Sequence, residues 1–199
     1  MLAFGMPFSG GTDHTLSKKE RKVAVNLLES SMKDIFKTIE KMSLEQWNYQ
    51  FSKDSWSVAG TCEHLFIAEN AIYNNISQNV ISDEKNRNNV QPGEKVTDEQ
   101  VIDKISDRTP ANRVKTAEPF EPKGMFASPK EFIENYKAAR LKTIAFVETT
   151  DSALKEYYQQ SPAGNISAYQ WMLLLGAHAN RHHEQMKEVM ADQSFPSDQ

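Results

Sequence analysis

The sequence predicts an all-α protein, a four-helix bundle with a long crossover between its second and third helices. Four stretches of about 20 residues carry apolar side chains at helical spacing, and each begins near a residue typical of helix N-caps. Segments with the alternating pattern of a β-strand are nearly absent. Helices of this kind bury their apolar faces against one another, and a bundle is the usual result.

The first predicted helix covers about 17–42 and the second runs from about Ser57 to Asn79. Ser17 and Glu20 form a capping box, in which the serine hydroxyl accepts from a backbone amide and the glutamate reaches back. A short turn starts at Ser43 between the two helices. Apolar residues with helical period follow each start: Leu28, Met32, Ile35, Phe36, Ile39 and Met42, then Cys62, Leu65, Ile72 and Ile76.

The connection over 80–127 is rich in Asn, Asp, Lys and Pro and contains one short predicted helix over 98–106. A connection this long inside a compact domain calls for a function or a topological crossover. We expect it to return across the bundle, so that the second and third helices run parallel. The short links between helices one and two, and between three and four, predict antiparallel neighbours.

The third and fourth helices have clear starts. Ser128 and Pro129 are typical of the N-cap and first helical position, and this helix should reach about Thr149. The fourth helix starts near Asn165 or Ser167 and ends around 192. Five residues are expected on the inner side of the third helix: Phe132, Tyr136, Thr143, Ile144 and Val147.

Composition limits the classes of function. The chain has 199 residues, with 23 Lys and Arg against 27 Asp and Glu. It contains no basic block, which argues against nucleic acid as a partner, and no apolar run approaches the roughly 18–20 residues of a membrane span. The single Cys62 excludes an internal disulfide and fits a reducing compartment, so we expect a cytoplasmic protein. Residues 1–16 are expected to be a flexible tail, because they lack the basic region of a signal peptide.

Two histidines near the C-terminus, His178 and His182, are the strongest chemical feature of the chain. They are four residues apart on a predicted helix, so they project from one face, on or beside an apolar stripe. Neutral imidazole is a good ligand for zinc, nickel, copper and iron, so the pair indicates a metal site. The alternative is a polar seam between helices, hydrogen-bonded to carboxylates. His183 lies about 140° around the helix from His178 and should face solvent.

His64 is the candidate for a third ligand. Three protein ligands leave an open coordination position for water or substrate, which a catalytic metal needs. His64 lies in the first half of the second helix, beside Cys62 and Leu65 of its apolar stripe. It meets the pair if helices two and four are neighbours, which spacing leaves open. The other interpretation is a partly buried, hydrogen-bonded histidine.

These segments resemble a known family. The run Trp56–Leu65 (WSVAGTCEHL) resembles the motif in which a tryptophan and a capping serine precede the first histidine of DinB/YfiT-like proteins. The run Tyr169–Gln185 resembles the C-terminal helix of that superfamily, with two histidines four residues apart. The resemblance covers about 17–195, helix order and crossover included, and implies a single DinB-like domain over 17–195.

The resemblance implies one divalent metal ion, Zn, Ni, Mn or Fe, held by His64, His178 and His182 with water in open positions. It implies a metal-dependent enzyme acting on a small molecule, either a hydrolase or an S-transferase using a low-molecular-weight thiol. A homodimer is also implied, and no DNA-binding motif comes with it. The alternative is a non-catalytic metal-binding or stress-related binding module of the same fold. A third interpretation is a purely structural dimerisation bundle.

Other polar residues near the site receive structural predictions. Cys62 points about 200° away from His64 on an ideal helix and is expected in the core. Glu63 and Glu184 are expected on solvated helix faces, with a supporting role for the ligands as the alternative. Arg140 falls on the inner side of the third helix, where an unpaired guanidinium would be costly. Substrate anchoring or an internal salt bridge would each explain it. His14 and Arg181 are expected at the surface, with contact to an anionic substrate as the alternative for Arg181. Trp47, Trp56 and Tyr169 are expected to pack in the core, with the mouth of a pocket as the alternative.

Overall fold

The computed structural model describes residues 14–91, 93–112 and 115–197. Most of the tail expected over 1–16 therefore lies outside the described residues, and the prediction about it stays untested. The helices in chain order are α1 Lys18–Ile39, α2 Leu44–Asn48, α3 Val58–Asn75, α4 Asp98–Ser106, α5 Pro129–Thr149 and α6 Ala168–Met190. A single π-helical turn over Ile76–Val80 continues α3 to the end of the second helix predicted from sequence.

Capping residues set the helix starts where the sequence predicted them. The Ser17 hydroxyl accepts from the amide of Glu20, and the Glu20 carboxylate accepts from the amide of Ser17, which closes the capping box at the start of α1. Ser167 and Gln170 make the same reciprocal pair at the start of α6. These contacts satisfy amides that have no partner within their own helix.

The long helices pack in a ring in which α1 and α3 each contact both α5 and α6. The predicted neighbour pairs, first with second and third with fourth, are therefore not the main contacts of the bundle. The links between these pairs, over 40–57 and 150–167, are not tight turns, because the first contains α2 and the second contains a β-hairpin. The second and fourth predicted helices, α3 and α6, are in contact. The hypothesis that His64 joins His178 and His182 depended on this contact.

A two-stranded antiparallel sheet is the element that the sequence pattern missed. Strands β1 Tyr158–Ser161 and β2 Gly164–Ser167 pair around a two-residue turn that contains Pro162. The strand sequences, YQQS and GNIS, do not alternate between polar and apolar residues, and this alternation is the pattern that predicts a strand. The β2 strand runs directly into α6, so the hairpin fills the link before the fourth predicted helix.

The core lies between the long helices and contains all five residues predicted for the inner side of α5. Helix α6 lies close against α1 at Gly176, where a Cβ atom would lie 2.6 Å from Cγ of Leu27. Only glycine fits there without displacing α1. Among the described residues, no helix is long and apolar enough to cross a membrane.

Candidate metal centre

The structure brings the three predicted histidines together between α3 and α6. His64 comes from the second turn of α3, while His178 and His182 lie one turn apart on α6. The serine cap of α3, in which the Ser57 hydroxyl accepts from the amide of Gly60, fixes the start of the helix that carries His64. His64 is 6% exposed and His182 is 8% exposed, while His178 is partly buried.

The three rings point the same nitrogen at a common place. Nε2 of His178 lies 3.2 Å from Nε2 of His64 and 3.1 Å from Nε2 of His182. One candidate ligand nitrogen from each ring falls within 4.8 Å of the other two. Residues 114 positions apart in sequence therefore form one compact donor set, as the metal hypothesis requires.

Hydrogen bonds on the far side of two rings determine which nitrogen carries hydrogen. Nδ1 of His64 donates to the backbone carbonyl of Phe120 at 2.8 Å, and Nδ1 of His182 donates to Oε1 of Gln185 at 2.8 Å. These carbonyl oxygens only accept, so the hydrogen of each neutral ring lies on Nδ1. The Nε2 lone pairs of both rings are therefore directed at the convergence point.

The environment keeps these rings neutral. Burial lowers the pKa of His64, although its hydrogen bond to Phe120 acts in the opposite direction. Burial and the neighbouring His182 and His64 hold the pKa of His178 well below its usual range. Burial is also the main reason why the pKa of His182 falls to about 3. Near neutral pH the site therefore presents uncharged imidazoles, the form that binds metal ions.

Binding to a divalent cation would satisfy the three histidine nitrogens better than hydrogen bonds among themselves can. Two of the three converging nitrogens carry lone pairs, so the cluster has at most one N–H, on His178, to share between two acceptors. Separations of 3.1 and 3.2 Å are close to the N···N distance of about 3.3 Å between histidines around a tetrahedral zinc with bonds near 2.05 Å. Neutral nitrogen donors of this kind suit zinc, nickel, copper and iron.

Trp56 forms an aromatic wall against the site. Its ring centroid lies 5.0 Å from that of His64 and 6.4 Å from that of His182, nearly parallel to the latter. Trp56 is partly exposed, in contrast to Trp47 and Tyr169, which are buried as expected. The motif tryptophan therefore contacts the candidate ligands directly instead of packing in the core.

Glu63 departs most from the prediction of a solvated face. Its side chain is 2% exposed, and its carboxylate accepts hydrogen bonds from three consecutive backbone amides of the segment after α4, those of Lys123, Gly124 and Met125. Sequence spacing gave no sign of this contact, because the partners are backbone groups about 60 residues away. Glu184 is exposed, as predicted, and it forms an ion pair with Lys187.

Two further polar side chains are less exposed than expected. His183 is 9% exposed, and Nε2 of its ring lies 2.8 Å from the Thr38 hydroxyl, because this face of α6 packs on α1. Arg181 is partly buried, and its guanidinium donates to the backbone carbonyls of Asp107 and Asn112. His14 is exposed, as predicted, and contacts Glu156.

Cys62 of α3 and Arg140 of α5 are both fully buried in the core. Burial raises the pKa of the Cys62 thiol well above its usual value, so this cysteine is an unreactive packing residue, as predicted. Of the two explanations for Arg140, the structure contains the internal salt bridge: its Nη2 lies 3.0 Å from the Glu69 carboxylate.

Comparison with known proteins agrees with the sequence resemblance. The family model of the DinB superfamily matches residues 27–186. The solved structure of YfiT from Bacillus subtilis, described as a probable metal-dependent hydrolase with an unusual four-helix bundle topology, matches with a TM-score of 0.56 at 15% identity. That match covers 88% of this chain and 89% of YfiT. No curated protein matched the chain. The chain belongs to the DinB superfamily.

Proposed function

We propose that this member of the DinB superfamily binds one divalent metal ion through His64, His178 and His182 and hydrolyses a small molecule there. The convergence of three Nε2 atoms, two of them with lone pairs fixed by hydrogen bonds at Nδ1, carries the proposal. Three protein ligands would leave room in the coordination sphere for a water molecule and a substrate.

A bound divalent ion would supply Lewis-acid chemistry, which activates water and polarises a carbonyl or phosphoryl oxygen. The protein holds the donor rings in one orientation through Phe120 and Gln185 and keeps them neutral by burial. Trp56 presents a rigid aromatic surface beside the ligands, suited to an apolar part of a substrate. The Glu63 carboxylate is fully engaged with backbone amides and is not available as a general base.

Two observations favour hydrolysis over thiol transfer. The buried Cys62 offers no thiolate, so transfer would need a low-molecular-weight thiol from solution. YfiT, which shares the fold, is described as a probable hydrolase. The non-catalytic metal-binding module predicts the same ligands without turnover, and an assay separates the two.

The function is tested with untagged protein, since a histidine tag would itself bind metal. Metal-stripped protein is reloaded with zinc, nickel, manganese or ferrous iron and assayed against small chromogenic esters, amides and phosphate esters. Turnover that requires metal and disappears in His178→Ala is the expected result. Metal binding without turnover on any class would favour the non-catalytic module. Absence of metal binding would refute both.

Three further predictions accompany this proposal. We infer a single domain over 17–195 in which the connection between α3 and α5 crosses the bundle and the two helices run parallel. We also infer a homodimer, which analytical ultracentrifugation would test. A cytoplasmic location fits the single cysteine and would be tested by cell fractionation.

A further inference from the structure

We propose that the segment 118–125 is part of the metal site and that Glu63 is the positioning residue that holds it there. Metal binding and ordering of this segment would then be thermodynamically coupled. The inference rests on the proposed function, since it assumes that His64 is a ligand. It assigns a role to a buried carboxylate that the proposed chemistry does not use, and it explains what holds the loop that carries Phe120.

The first observation is the set of contacts around the Glu63 carboxylate. Oε1 accepts from the amide of Lys123 at 2.6 Å, and Oε2 accepts from the amides of Gly124 and Met125 at 2.8 and 2.9 Å. Hydrogen bonds to an ionised acceptor are shorter and stronger than neutral ones. A carboxylate that is 2% exposed would be costly to bury without such partners. Glu63 and the loop therefore depend on each other.

The second observation is that the same segment contacts the ligand itself. A 3₁₀ turn over Glu118–Phe120 places the Phe120 carbonyl 2.8 Å from Nδ1 of His64. Three residues further on, the chain reaches the amides that Glu63 binds. Neighbouring residues on α3 thus fix the two ends of one short loop.

Close packing holds the middle of this loop against α3. A Cβ atom at Gly60 would lie 3.4 Å from Cγ of Pro122, an ordinary van der Waals distance, so the loop packs directly on the first turn of the helix. Beyond the loop, Nε1 of Trp47 donates to the carbonyl of Phe126 at 3.3 Å. Backbone and side-chain contacts therefore place the Phe120 carbonyl, and little freedom remains for it while Glu63 is bound.

Coupling follows from the chemistry of imidazole. A cation on Nε2 makes the Nδ1–H group of His64 a stronger donor, so the bond to Phe120 strengthens when metal binds. The hydrogen-bond partner in turn fixes the ring and raises the basicity of the ligand nitrogen. Such effects are reciprocal by thermodynamic necessity, so whatever loosens the loop must weaken metal binding.

Glu63→Gln tests the carboxylate with little change of volume. One oxygen becomes an amide NH₂ that can only donate, so it opposes the backbone amides that Glu63 accepts from. We expect the affinity of the stripped full-length protein for Zn²⁺ to fall about 10- to 100-fold, the usual effect of losing an outer-shell partner. Glu131→Gln is the matched control, because Glu131 also accepts a backbone amide, that of Ala127, but is exposed and bonds to a residue outside the segment 118–125.

Gly124→Ala tests the loop and leaves the carboxylate in place. Gly124 has φ +84°, and a methyl group added there would meet no atom within 4 Å, so alanine changes only the backbone preference. Gly93→Ala is its control, since Gly93 has φ +89°, equally open surroundings, and lies between α3 and α4. We expect a several-fold loss of Zn²⁺ affinity for Gly124→Ala and none for Gly93→Ala.

The measurement is a competition titration of Zn²⁺ against a chromophoric chelator, combined with hydrogen exchange of the amides over 120–125. In the wild type, Zn²⁺ should slow exchange in this segment, and Glu63→Gln should abolish that response. Unchanged affinity in both Glu63→Gln and Gly124→Ala, with a wild type that binds Zn²⁺, would overturn the inference and leave the proposed function intact. A wild type that does not bind Zn²⁺ or any other divalent ion would refute the proposed function itself.

Discussion

Helix α3 contributes to two buried polar clusters. Burial removes the solvation of their polar groups, and the two clusters differ in whether protein groups replace it. In the first cluster, His64 meets His178 and His182 with lone pairs directed inward. In the second, Glu69 meets Arg140 of α5, with Nη2 of the arginine 3.0 Å from Oε2 of the glutamate. Glu69 is 1% exposed and Arg140 is fully buried.

Most of the polar atoms in the second cluster have ion-pair or hydrogen-bond partners within the protein. Oε1 of Glu69 accepts from the Thr143 hydroxyl at 2.6 Å, and Nη2 of Arg140 also donates to the Tyr136 hydroxyl and to the Leu175 carbonyl. Nε and Nη1 of Arg140 have no hydrogen-bond partner among the described residues. Opposite charges nevertheless meet here, whereas the histidine cluster has two acceptors and at most one donor between them.

The difference teaches how to read buried polar groups. A cluster whose opposite charges are paired internally stabilises one packing of the core and needs no ligand to balance its charge. A cluster of lone pairs fixed from behind by second hydrogen bonds is arranged for a cation. The comparison predicts that the Glu69 cluster governs folding and that the histidine cluster governs metal binding.

The largest expected effect is on folding, in Glu69→Ala. Removing the carboxylate leaves the Arg140 guanidinium buried without its counter-charge, which costs about 3–5 kcal/mol of unfolding free energy. Urea unfolding of the metal-stripped protein measures this loss. The double variant Glu69→Leu/Arg140→Met is the control and should be much less destabilised, because no charge remains buried. A single variant within about 1 kcal/mol of wild type would break the comparison.

The next effect is a pH dependence that comes from the histidine cluster. The pKa of folded His182 is about 3, below the value of about 6.5 for an unfolded histidine. As pH falls below about 6.5, the unfolded chain binds protons that the folded chain does not, so the stripped protein loses stability toward acid. Each such histidine contributes at most about 1.4 kcal/mol per pH unit.

Urea unfolding of stripped wild type and His182→Asn at about pH 7 and about pH 5 measures this contribution. The variant should lose less unfolding free energy between the two pH values than the wild type does. Equal losses would mean that His182 titrates in the folded protein as it does in the unfolded chain, and the contrast between the clusters would weaken.

The smallest expected effect is a loss of stability from the N-cap of α3. Both clusters include residues of α3, so this loss should affect them equally. Ser57→Ala removes the hydroxyl that accepts from Gly60 at 3.1 Å and should cost about 1 kcal/mol of unfolding free energy. Differential scanning calorimetry of stripped protein measures the loss, with Ser57→Asn as a control that keeps an N-cap acceptor. If Ser57→Ala lost as much unfolding free energy as Glu69→Ala, the Ser57 hydroxyl would have to stabilise more of the protein than the first turn of α3.

Local patterns were sufficient to predict the helices and the histidine pair. Serine caps marked the starts of α1, α3 and α5, and the four-residue spacing of His178 and His182 placed both on one face. Helical spacing depends only on neighbours along the chain, which is why these predictions were confirmed. Whether His64 lies beside this pair depends on which helices pack together, and the spacing of residues along the chain does not determine that. The resemblance to the family implied the three-histidine site.

Contacts between distant segments could not be predicted in the same way. The Phe120 carbonyl and the amides bound by Glu63 are backbone groups, which every residue type offers, so the sequence carries no mark of them. Arg140 was placed correctly on an inner face, yet its partner Glu69 lies on another helix. The short hairpin before α6 and the pairing of helices across the bundle were missed for the same reason.

X-ray absorption spectroscopy of the untagged protein, stripped and reloaded with one equivalent of Zn²⁺, tests the central claim most directly. The claim predicts a first shell of nitrogen and oxygen donors with the multiple scattering of three imidazole rings, falling to two rings in His64→Ala. A wild-type spectrum without imidazole scattering, or one that His64→Ala leaves unchanged, would contradict it.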